Sequence, residues 1–129
     1  MPPTTDSSDP TQRDPHHAVF DHEDALARMD GDGDMLREVL QMFLQDSPNM
    51  LARIDAALAS GDALQLERAA HGLKGASATI WANAVTEMAV QVERAAKGGR
   101  VEEARLIVPA LQHALRRLVV VLDRIQHAA

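Results

Sequence analysis

A chain of 129 residues has room for one domain with a hydrophobic core, and 46% of its residues are hydrophobic. Aromatics make up only 2%, too little of the Tyr, Phe, Trp and β-branched supply a sheet of this size draws on, so an all-helical fold is expected. The net charge of −6 argues against a general nucleic-acid binder, whose footprint is a basic patch, and suits a protein that meets other proteins.

The chain has no cysteine, and so no disulfide framework, thiolate nucleophile or thiolate metal site, which is compatible with a cytoplasmic protein. No basic segment precedes an apolar run as in a signal peptide. No apolar stretch approaches the roughly 18 residues of a membrane span, so no direct membrane contact is expected.

Residues 1–17 are rich in Pro, Asp, Ser and Thr and are expected to form a disordered tail or linker, with the domain over residues 18–129. His16 and His17 are read as incidental there. Val19-Phe20-Asp21 opens the folded part, and Asp21 can cap a short helix through Ala25, Leu26 and Met29. Asp30-Gly31-Asp32-Gly33-Asp34 has acids at alternate positions, as a calcium loop does. The sixth position, however, is Met35 rather than glycine and the twelfth is Gln41 rather than glutamate, so an acidic turn capping the next helix is expected instead.

From Asp34, the residues Met35, Leu36, Val39, Leu40, Phe43 and Leu44 recur at helical spacing. Ser47-Pro48 reads as a new helix start, serine as N-cap and proline in the first turn. Leu51, Ile54, Ala57 and Leu58 continue the stripe to a stop at Ser60-Gly61. Asp62 caps a helix that buries Leu66, Ala70, Leu73, Ser77 and Ile80 and ends near Trp81. The next helix runs from Asn83, with Val85, Met88, Val92 and Ala96 inward, to Gly98-Gly99. The last spans Val101 to about Gln126, with Pro109 expected to bend it. Four amphipathic helices joined by short turns predict an antiparallel four-helix bundle, with one or two short extra N-terminal helices over one end.

The stretch Glu67 to Gly75 stands out inside this pattern. Its two glycines, Gly72 and Gly75, each cost about 1 kcal/mol relative to alanine in a helix interior. His71 lies about 100° from the buried line, on a polar face shared with Glu67, Lys74, Gly75 and Ala78. An exposed imidazole can be neutral and nucleophilic near pH 7. Lys74, one turn away, offers three donors and a positive charge to a phosphoryl group. Gly75 removes the side chain one turn above the ring and so clears an approach for another macromolecule.

A self-sufficient enzyme is not encoded: no phosphate-cradling glycine loop or Walker lysine, no Ser-His-Asp constellation and no HExxH zinc signature is present. Glu67 and His71 could share a metal, but two ligands on one helix are insufficient alone, and no cofactor is expected in this chain.

These residues resemble the signature of histidine-containing phosphotransfer domains of multistep two-component signalling. Ala70, His71, Leu73, Lys74 and Gly75 match its core, and Ile80, Ala82, Val85, Met88, Val92 and Glu93 match its continuation. The likeness covers roughly residues 19–126. One departure is Trp81, where the family commonly has glycine; a tryptophan there either packs locally or lies exposed near a docking face.

The resemblance implies a phosphorelay intermediate in which His71 accepts a phosphoryl group from a receiver-domain aspartate and passes it to another receiver's aspartate. Lys74 would neutralise phosphoryl oxygens, Glu93 would orient the imidazole, and Glu67, Gly75 and Ala78 would belong to the docking face. The partners would be response-regulator receiver domains, which would carry the Mg²⁺. The chain would be a monomer without kinase activity of its own, either free-standing or the cytoplasmic end of a hybrid sensor histidine kinase. The alternatives are a helical adaptor whose histidine has no chemistry and a histidine kinase dimerisation domain. The latter typically follows its histidine with an acidic residue and a Thr-Pro or Ser-Pro pair, which His71-Gly72-Leu73-Lys74-Gly75 lacks.

Overall fold

The computed structural model describes residues 19–128, so the tail expected over residues 1–17, with His16 and His17, lies outside the described residues. Five helices and no strand lie among those described between His22 and His127: α1 (His22–Arg28), α2 (Gly33–Ser60), α3 (Ala63–Thr79), α4 (Asn83–Lys97) and α5 (Val101–His127). Their starts follow the sequence signals. Asp21, Asp32 and Asp62 each accept a hydrogen bond from the backbone N–H three residues on, at Asp24, Met35 and Gln65. The acidic run before α2 is therefore a turn and a cap. Gly61 and Gly99 adopt the left-handed conformation that ends α2 and α4.

One expectation is overturned. Ser47-Pro48 does not start a helix, because α2 runs unbroken for 28 residues and contains Pro48. A proline in mid-helix leaves the carbonyl four residues back without its N–H donor, here that of Leu44. The Ser47 hydroxyl donates to that same oxygen at 3.0 Å. The serine that reads as a cap instead satisfies the acceptor its neighbour vacates. One short helix, α1, therefore precedes the bundle among the described residues, and α5 likewise continues through Pro109.

Helices α2 to α5 pack in a closed ring, α2 on α3, α3 on α4, α4 on α5 and α5 back on α2. Short connections make consecutive helices antiparallel. Along the α2–α5 seam, Asp55 bonds Gln112, while Gln126 Nε2 donates to the Arg37 carbonyl at 2.9 Å, so this pair also runs antiparallel.

The enclosed core holds Leu36, Leu40, Ile54, Leu66, Leu73, Ile80, Val85, Val92, Leu111, Leu115, Leu118 and Leu122, all nearly inaccessible. Each buried aliphatic side chain contributes roughly 1.5–3 kcal/mol relative to exposure. On α4 the inward line is Val85, Ala89, Val92 and Ala96, and Met88, expected inward, is half-buried. It lies one turn-step off that line and packs at its edge.

The α3–α4 turn is a Schellman motif. The Ala82 N–H reaches the Ser77 carbonyl at 2.9 Å and the Trp81 N–H reaches Ala78 at 3.1 Å. The motif needs a left-handed residue after the cap, and Trp81 supplies it at φ +57°. Its half-buried ring packs against the core, with the Arg28 guanidinium of α1 5.9 Å from the ring centroid. Trp81 therefore packs locally, joining α1 to the end of the bundle.

Candidate functional site

The register between α3 and α4 is set from the inside. Ser77, fully buried, and Thr86 bring their hydroxyls to 2.8 Å across the interface. Each hydroxyl also lies within hydrogen-bond distance of a backbone carbonyl on its own side, Ser77 at 2.8 Å from Leu73 and Thr86 at 3.0 Å from Ala82, so one hydroxyl donates across the interface and the other donates to its own backbone. This polar bridge, read from sequence only as a core position for Ser77, fixes how far along α4 each residue of α3 finds its neighbour. Two turns up α4 from Thr86, that neighbour is Glu93.

Glu93 bridges two side chains of α3. Its Oε2 lies 2.6 Å from His71 Nδ1, and its Oε1 accepts from Lys74 Nζ at 2.8 Å. The carboxylate is largely covered, its side chain 17% exposed, whereas the His71 side chain is 67% exposed. The Lys74 hydrogen bond holds the Glu93 carboxyl below the usual carboxylate range; burial opposes this and the His71 hydrogen bond adds to it. An ionised carboxylate only accepts, so the contact places a proton on Nδ1 and leaves the Nε2 lone pair of a neutral ring free.

The remaining predicted residues lie around the trio on α3, with no side-chain hydrogen bond or ion pair to it. Glu67 is half-buried, and Gly75 and Ala78 are exposed. A Cβ added at Gly72 or Gly75 would meet nothing within 4 Å, so no packing among the described residues requires either glycine. The structure thus brings His71, Lys74 and Glu93 into contact and spreads Glu67, Gly75 and Ala78 around them. No group of three or more His, Cys, Asp or Glu side chains placed to hold a metal ion lies among the described residues.

A closed four-helix ring with an exposed histidine, a lysine one turn on and a half-buried carboxylate behind both defines a bundle that offers one imidazole to another molecule. The chain belongs to the Hpt domain family, whose sequence model matches residues 38–120, and is a phosphotransfer intermediate of a phosphorelay. Proteins of this family interact with receiver domains in phosphorelays. Among solved structures, the chain is similar to histidine-containing phosphotransfer protein B (HptB) from Pseudomonas aeruginosa PAO1. The TM-score is 0.76 at 22% identity, over 84% of this chain and 94% of that one, a likeness of fold. No curated protein matches the sequence. No described helix is long and apolar enough to cross a membrane.

Proposed function

We propose that His71 is the phosphoacceptor, taking a phosphoryl group from a receiver-domain aspartyl phosphate and giving it to the aspartate of a second receiver. The observation that carries this reading is Glu93, which holds Nδ1 of an exposed ring while its other oxygen holds Lys74. The Nε2 lone pair attacks phosphorus, the P–O bond to the aspartate breaks, and the carboxylate leaves with the electron pair. The Nδ1 proton stays on the ring, and Glu93 stabilises the cationic phosphohistidine that forms. Return of the group to an aspartate reverses these steps.

Lys74 is the positioning cation. Its ammonium, one-third exposed and anchored on Glu93, has donors left for phosphoryl oxygens. Glu67, Gly75 and Ala78 form part of the docking surface. Mg²⁺ resides on the receiver and no cofactor on this chain. Because the four-helix core closes within one chain, it functions as a monomer, in contrast to a kinase dimerisation domain. The same reading gives it no autonomous kinase activity, a cytoplasmic location and no nucleic-acid role, whether alone or within a hybrid sensor kinase.

The test is incubation with a panel of phosphorylated receiver domains. Wild type should acquire an acid-labile phosphoryl group from at least one receiver and His71→Gln none, with the mutant retaining wild-type circular dichroism. Equal labelling of both proteins, or labelling of neither, would refute the assignment.

A further inference from the structure

The two flanks of His71 differ in charge. Towards α4 lie Glu93 and the half-buried Glu67. On the other flank, towards α2, a groove of about 400 Å³ runs between the C-terminal half of α2 and the first turns of α3. It is lined by the small residues Ala56, Ala57 and Ala69 and by Arg53, Gln65 and Arg68. Arg68 precedes His71 by three residues, so it lies about one helical turn away and about 60° towards α2. Both arginines are exposed. Neither has an ion-pair or hydrogen-bond partner among the described residues, although the chain as a whole is acidic at −6.

Beside the imidazole, on the side away from α4, the helix carries two glycines. Gly72 lies on the same side of the helix as Arg68, Gly75 lies outward of it, and at neither would a Cβ meet another atom within 4 Å. A body that spans from the groove to His71 therefore meets no side chain at Gly72 or Gly75 beside the ring. This gives Gly72 a role that no contact inside the bundle provides.

We infer that the Arg53–Arg68 groove is a second docking point for the receiver domain, gripping acidic groups at the rim of its phosphorylation pocket and orienting the aspartyl phosphate over Nε2. This rests on the reading of His71 as phosphoacceptor. The occupant follows from charge: a pocket that holds Mg²⁺ does so through carboxylates, so its mouth is negative. Two unpaired guanidiniums, fork-shaped carboxylate binders, complement it. Arg68, which lines the groove, lies about one turn from the histidine on the same exposed side of α3. Rim charges of this kind act on encounter and orientation more than on the chemical step.

The test compares wild type, the double charge reversal Arg53→Glu/Arg68→Glu and the milder Arg53→Gln/Arg68→Gln, each with receivers phosphorylated by acetyl phosphate and, separately, with phosphoramidate, a small donor that needs no docking. The charge reversal should lower kcat/KM for receiver transfer by about tenfold or more, chiefly through KM, and the glutamine pair by less. The wild-type advantage should shrink as salt rises. Phosphoramidate labelling of His71 should be unchanged in all three. Unchanged receiver kcat/KM with intact phosphoramidate labelling would overturn the groove and leave the phosphoacceptor standing. So would a loss confined to kcat, whereas labelling of wild type by phosphoramidate but by no receiver would overturn both the receiver-to-His71 transfer and the groove. Failure of wild type with both donors would overturn the phosphoacceptor and the groove together.

Discussion

Two places, one within α3 and one in the turn that follows it, break the same local preference in opposite directions. In the middle of the helix, where alanine is favoured, the chain places Gly72 and Gly75, and neither is required by any neighbour within the bundle. At the end of the helix, where the left-handed backbone favours glycine, it places Trp81 at φ +57°. The first departure leaves bare backbone beside a reactive ring. The second accepts strain to lay an aromatic ring between α1 and the bundle core. On the proposed reading the mid-helix glycines serve a molecule that arrives from outside, whereas the tryptophan packs within the fold itself.

Substitution can break each half of this comparison separately. The largest effect on stability is expected at Trp81. Trp81→Ala keeps the strained backbone and loses the half-buried ring, and should cost about 2 kcal/mol in denaturant unfolding. Trp81→Gly loses the same ring but relieves the left-handed strain, and should be roughly 1 kcal/mol more stable than the alanine variant. Equal stability of the two would show that the backbone at this turn is not strained. Receiver-to-His71 transfer, measured on the folded fraction, should be little changed in either.

At the glycines the signs should reverse. Gly72→Ala and Gly75→Ala should each stabilise the free domain by about 1 kcal/mol, because the new methyl meets open space and improves helix propensity. Transfer from a receiver should nevertheless slow, more for Gly75→Leu than for Gly75→Ala. A Gly75→Leu variant that transfers at the wild-type rate would remove the clearance argument.

Ser47→Ala tests the device that carries α2 through Pro48. It should cost about 1 kcal/mol by thermal or chemical unfolding, because the Leu44 carbonyl loses its donor. The smallest effect concerns acid. Glu93 is held below its ordinary value of 4.5, so its contribution to stability is present above that value and is lost as pH falls through the lower folded-state value. A Glu93→Gln variant should therefore lose stability less steeply than wild type between about pH 5 and pH 2 in acid titrations followed by circular dichroism. A parallel pair of curves would mean that the carboxylate is not stabilised in the folded state.

The helices and most of their ends were legible because each signal is local. Asp21, Asp32 and Asp62 cap within three residues of themselves, and Gly61 and Gly99 end helices by their own conformation. Ser47-Pro48 misled because a serine hydroxyl can cap a new helix or repair an old one, and which it does depends on whether the preceding turn is already helical. His71 and Lys74 could be read from one helix face. Glu93 could be reached only through resemblance, since the residue opposite His71 depends on an inter-helix register set by the buried Ser77–Thr86 bridge. The Arg53–Arg68 groove was not legible at all, since its two charges lie on different helices and meet only when the bundle closes.

The central claim is that Glu93 keeps the proton on Nδ1 and leaves Nε2 to react. Its most direct measurement is nitrogen and phosphorus NMR of the phosphorylated, ¹⁵N-histidine-labelled protein. The account predicts a phosphoryl group on Nε2 of His71 with Nδ1 still protonated. Phosphorylation at Nδ1, or on any residue other than His71, would contradict it.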